Sequence, residues 1–116
     1  MKLYDSEWKL MEVVWANEPI SAKQLSVLTS AQIGWNKNTT YTVIKKLIEK
    51  DVIARGEPNF MCTSLLKKED AVKAETSSLI ERVFAGSRKA FFAAFLEGEE
   101  LSEEEIAELK AMIEKK

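Results

Sequence analysis

The stretch NKNTTYTVIKKLIEKDVIAR, residues 36–55, passes from a polar, threonine-rich turn through an amphipathic segment into a β-branched tail. Few folds accommodate that order. Asn36 and Asn38 can each accept hydrogen bonds from the free amides of a first helical turn. Val43, Ile44, Leu47 and Ile48 recur at three- and four-residue spacings and so share one helical face. Thr39, Tyr41, Thr42, Lys45, Lys46 and Lys50 are left for the other faces. Hydroxyls and amides can donate to phosphate oxygens or read base edges, and lysines neutralise phosphate charge. Taken alone, such a helix is more often a solvated surface helix. The segments on either side tip the balance.

Upstream, Asp5 is placed to cap a helix through SEWKLMEVVWAN, with Trp8, Met11, Val14 and Trp15 on one stripe facing a core. Pro19 ends that helix, because proline disfavours helical geometry in the residue before it. Ser21, followed by Gln24 three residues later, predicts a capping box at the start of a second helix, with Ile20 as a hydrophobic staple. Leu25 and Leu28 are its apolar positions. The second helix is expected to be short, ending near Thr29 and Ser30, with residues 31–35 as a long connector anchored by Trp35. Downstream, Val52-Ile53-Ala54-Arg55 reads as a strand, Gly56-Glu57-Pro58-Asn59 as a turn and Phe60-Met61-Cys62-Thr63 as the returning strand. Three helices followed by a small hairpin are the order of a winged helix, whose third helix lies in the major groove. Glu57 at the hairpin tip is expected to repel phosphate, which leaves Arg55 as the wing's main cation.

The rest of the chain reads as helical. Residues 67–84 carry Leu79, Ile80 and Val83; Ala85-Gly86-Ser87 breaks the pattern. A helix from Arg88 holds Phe91, Phe92, Phe95 and Leu96 and stops at Gly98. Ser102 with Glu105 forms a further capping box before Ile106, Leu109, Met112 and Ile113. Short helices of this kind cannot bury those side chains alone, because small units bury too little surface. Either the first domain or a second chain must cover them. Symmetric dimers are the commonest oligomers, and helix-turn-helix dimers read paired half-sites, so a homodimer is the expectation. Its contacts are assigned to Leu79, Val83, Phe91, Phe92, Phe95, Ile106, Leu109 and Ile113. The fold class expected is therefore mainly α with a small β-hairpin: a winged helix-turn-helix over residues 1–66 and a helical dimerisation domain over 67–116.

Charge follows the same division. The net charge of −2 conceals ten Lys/Arg against seven Asp/Glu in residues 1–68, and seven against twelve in residues 69–116. The distribution of charge bears on nucleic-acid binding more than its sum. No apolar run approaches the ~20 residues of a membrane span, and Met1-Lys2-Leu3 does not open a signal peptide. The single cysteine, Cys62, fits a reducing cytoplasm. With no histidine in the chain, the usual catalytic triads and most zinc sites are unavailable. Cys62 has no imidazole to activate it, and the carboxylates of residues 103–105 serve a helix start. The expectation is a protein that is not an enzyme and needs no cofactor or metal. Two functions remain open: binding of double-stranded operator DNA through Lys37, Asn38, Thr39, Tyr41, Thr42, Lys45, Lys46 and Arg55, or a winged-helix module that binds only protein.

The opening YDSEWKLMEVVWA resembles the start of the penicillinase and methicillin-resistance repressors. So do Trp35 ahead of a threonine-rich third helix (Thr39, Thr42, Leu47), the segment of Phe84, Gly86 and Ser87, and the ending FLEGEELSEEEIAELKAMIEK. The resemblance spans nearly the whole chain. It implies a homodimeric bacterial repressor whose third helix contacts operator DNA. In its β-lactam branch it also implies a regulatory protease acting at an Asn-Phe pair, matched here by Ala94-Phe95. Members commonly have proline and lysine where this chain has Lys37 and Asn38, a basic residue at Tyr41 and glycine at Asp51. The Cys-x-Cys pairs of the copper-responsive branch are absent, which excludes thiolate copper sensing of that type.

Overall fold

The computed structural model describes residues 2–116. Its elements are α1 (Asp5–Asn17), β1 (Ile20–Ser21), α2 (Ala22–Ile33), α3 (Lys37–Glu49), β2 (Ile53–Gly56), β3 (Met61–Ser64), α4 (Lys68–Phe84), α5 (Arg88–Gly98) and α6 (Glu103–Glu114). They form two compact units, Met1–Glu75 and Thr76–Lys116, and α4 runs from the first into the second.

In the first unit α1, α2 and α3 pack around Leu10, Met11, Val14, Leu25, Ile44 and Leu47, all fully buried. Trp8 and Trp15 lean on this core as an edge-to-face pair 5.6 Å apart. Trp15 donates its indole N–H to the Leu66 carbonyl at 2.9 Å, satisfying the polar end of a half-buried ring. The hairpin of β2 and β3 is joined by a third strand: β1 pairs antiparallel with β3, Ile20 opposite Cys62. Ile20, expected only as a staple, is thus a buried sheet residue. Glu18 joins the end of α1 to this sheet. Its carboxylate accepts the Ser64 amide at 2.7 Å and the Ser64 hydroxyl at 2.8 Å.

Four local expectations need correction. Tyr4, not Asp5, is the capping residue of α1, and its amide donates to Glu7 Oε1 at 2.8 Å. At Ser21 only half of a capping box forms: its Oγ accepts the Gln24 amide. The second helix does not end near Ser30 but continues to Ile33, where Gly34 at φ 81° supplies the left-handed stop. Residues 34–36 make the connector. Lys50, read as a free surface cation, is instead turned inward to Glu7, whose carboxylate is 2% exposed.

α3 ends in a Schellman motif, with Asp51 N–H bonded to the Ile48 carbonyl and Val52 N–H to that of Leu47. Asp51 occupies the left-handed position at φ 60°.

The second unit contains α5 and α6, and among the described residues neither helix has a buried side chain. Ser102 caps α6 with the full reciprocal box: its Oγ accepts the Glu105 amide and Glu105 Oε1 accepts the Ser102 amide. Phe84, Phe91 and Phe92 stack edge to face at 5.6 and 5.2 Å.

Candidate nucleic-acid interface

Local chemistry decides how α3 is presented. Asn36 caps it, Oδ1 accepting the Thr39 amide at 2.8 Å. Val43, Ile44 and Leu47 then take the helix into the core, and Thr40 follows them completely. The Thr40 hydroxyl meets that of Thr29 at 2.6 Å, a buried bond between α2 and α3 that periodicity did not reveal. A threonine in phase with the apolar face, opposite another on the neighbouring helix, was the available signal.

The opposite side of α3 is open. Lys37, Asn38, Thr39, Thr42, Lys45 and Lys46 are all exposed. Thr42 donates its hydroxyl proton to the Asn38 carbonyl at 2.8 Å, which leaves the oxygen to accept and the methyl to make apolar contact. Glu49 is the one acid on the exposed side of the helix.

Tyr41 stands apart from this set. It is half-buried, its ring makes a T-shaped contact with Phe60 at a centroid distance of 6.0 Å, and the Lys37 ammonium lies 5.8 Å from its centroid. Across the hairpin, Arg55 stacks its guanidinium 3.7 Å from the Phe60 centroid and donates Nε–H to Glu57 Oε1 at 2.6 Å. That hydrogen bond is the main reason the exposed Glu57 carboxyl titrates below the ordinary carboxylate range. Behind the sheet, burial pushes the Cys62 thiol above its usual value, with the Arg55 charge opposing.

The residues assigned to dimerisation lie on α4, α5 and α6. Leu79 and Phe91 are half-buried; Val83, Phe92, Phe95, Ile106, Leu109 and Ile113 are exposed, Ile113 by 73%. An apolar groove between α5 and α6 is lined by Leu96, Leu101, Ile106, Leu109 and Ile113. Ala94 and Phe95 sit in the middle of α5.

Three stacked helices with a capped, polar-faced third helix and a β-wing define a winged helix. The chain belongs to the penicillinase repressor family, whose model matches residues 3–115. It is 29% identical over 117 residues to the methicillin resistance regulatory protein MecI of Staphylococcus aureus, covering 99% of this chain and 95% of that protein. To the penicillinase repressor of Bacillus licheniformis it is 26% identical over 115 residues, covering 97% and 90%. The fold is similar to Staphylococcus aureus MarR, solved with salicylate and kanamycin, at TM-score 0.51 and 17% identity, over 97% of this chain and 70% of that one. The first of these relatives is named as a regulatory protein and the second as a repressor, neither as an enzyme. No described helix is long and apolar enough to cross a membrane.

Proposed function

We propose that the chain is a homodimeric, cytoplasmic transcriptional repressor that reads double-stranded operator DNA through α3. The observation that carries this reading is the division of α3 into a buried face and an open face of hydroxyls, amides and lysines. Thr39 and Thr42 suit base edges, Thr42 by accepting from a base amino group or meeting a thymine methyl. Lys46 and the Tyr41 hydroxyl flank them. Lys37, Asn38, Lys45 and Arg55 suit phosphates, which position a protein on the duplex without specifying sequence. The exposed apolar faces of α5 and α6 are too extensive for an isolated chain's surface and fit a second copy. Two copies would set two third helices on one face of the duplex, about one helical turn or a multiple apart.

A regulatory protease fits the same scheme. Cleavage at Ala94-Phe95 would sever α6 from the rest of the chain and end repression by ending dimerisation.

Binding should be measured to a duplex selected by the wild-type chain from a randomised pool, and to a scrambled duplex of equal length. Thr42→Ala should weaken the selected duplex by about 1–3 kcal/mol, and Lys45→Ala should weaken both alike. Binding should survive exhaustive chelation. Both variants binding as wild type while folded would refute the role of α3. Binding unaffected by salt would favour a module that binds only protein, because phosphate contacts release counterions.

A further inference from the structure

We propose that Phe60 locks the wing to α3, so that Arg55 and Lys37 act as a two-point phosphate clamp in fixed register with the face that reads bases. This rests on the DNA-binding reading above and adds to it a positioning residue, Phe60, with Glu57 as its accessory.

Asn59 and Phe60 both adopt left-handed backbone, at φ 74° and 50°. A bulky side chain seldom takes that conformation, and it persists only where the surroundings over-determine it. Here they do. The Phe60 carbonyl accepts the amide of Ala22, the first residue of α2, at 2.9 Å. Its own amide reaches Glu57 Oε2 at 3.5 Å. The resulting backbone turn throws the ring between Arg55 and Tyr41, with the guanidinium 3.7 Å from its centroid and the tyrosine ring in T-shaped contact at 6.0 Å. Tyr41 in turn carries the Lys37 ammonium. Three contacts in series therefore link a cation on β2 to a cation at the first residue of α3.

The guanidinium is held in two ways, by the ring against its face and by Glu57 at Nε. Its Nη groups have no partner among the described residues, and they form the planar fork that matches a phosphate. Glu57, an acid at a wing tip, thus orients the cation instead of repelling DNA. An arginine on a free hairpin can meet phosphates at many positions. One stacked on a ring that abuts the third helix meets them at one, and so converts charge into register.

The test uses the full chain with the selected and scrambled duplexes. Phe60→Gly removes the ring, and glycine is at home at φ 50°. It should leave scrambled-duplex affinity and salt slope at wild-type values but reduce preference for the selected duplex roughly tenfold. Phe60→Trp should restore the preference. Glu57→Ala should also lower it. Arg55→Ala should weaken both duplexes and reduce the salt slope by about one. Unchanged preference in Phe60→Gly, or tighter binding to both duplexes by Glu57→Ala, overturns the proposal. Should wild type bind neither duplex, the DNA-binding reading fails, and hydrogen exchange at Arg55 Nε in the free protein still decides whether Phe60 locks the wing arginine in place. Protection in wild type that Phe60→Gly abolishes supports it; no protection in wild type overturns it.

Discussion

Glu7 Oε1 and Lys50 Nζ lie 2.7 Å apart and tie the first turn of α1 to the residue that caps the end of α3. The carboxylate is 2% exposed and also accepts the Tyr4 amide; the ammonium reaches the Lys2 carbonyl at 3.1 Å and lies 4.7 Å from the Tyr4 centroid. A buried charge is tolerable when every lone pair and proton is met, and costly when one partner goes.

Lys50→Met should therefore destabilise the protein by about 3 kcal/mol, because it strands the Glu7 carboxylate in the interior. Adding Glu7→Gln should recover much of that loss. Urea unfolding of the single and double variants checks both statements; equal stability of Lys50→Met and wild type would show the pair to be dispensable.

The Thr29–Thr40 bond gives a second cycle. Thr40→Val should cost about 1 kcal/mol, since the Thr29 hydroxyl loses its buried partner on α3 and keeps only the Ser26 carbonyl. Replacing both threonines by valine should come nearer to neutral, because no buried hydroxyl is then left with part of its bonding lost. Thermal denaturation of the three variants would expose non-additivity, and strict additivity would contradict a direct bond.

Asp51 occupies a position that favours glycine. Asp51→Gly should raise stability by about 0.5–1 kcal/mol, the relief of a left-handed side chain less the added freedom of the unfolded glycine. A loss of stability in chemical denaturation would mean that the Asp51 side chain makes a compensating contact.

For assembly, Phe92→Glu places a charge on a face whose phenylalanine is 56% exposed in the single chain. Sedimentation at micromolar concentration should find wild-type dimers and variant monomers, with the variant losing tight binding to the selected duplex. A wild-type monomer that binds tightly as a single chain would reject the dimer.

Much of this was legible along the chain. Pro19 ended α1, Ser102 and Glu105 marked the start of α6, and Val43, Ile44 and Leu47 indicated the buried face of α3. The polar Thr29-Ser30 pair suggested too early a stop for α2, which Gly34 ends; the Thr29 hydroxyl is satisfied within that helix by the Ser26 carbonyl and across the helix pair by Thr40. Tyr41, placed by periodicity on the polar side of α3, is half-buried against Phe60, a contact that no spacing along the helix encodes.

Sequence by itself determined the order of the six helices and the hairpin and the family, because periodicity, caps and turn chemistry act between residues three or four apart. Only the tertiary structure decided that Glu7 meets Lys50, that β1 joins the wing as a third strand, and that Phe60 stands between Arg55 and Tyr41. Those partners lie far apart in the chain or depend on backbone angles that no side-chain pattern encodes. Burial and pairing of a charge follow from what the folded chain brings beside it.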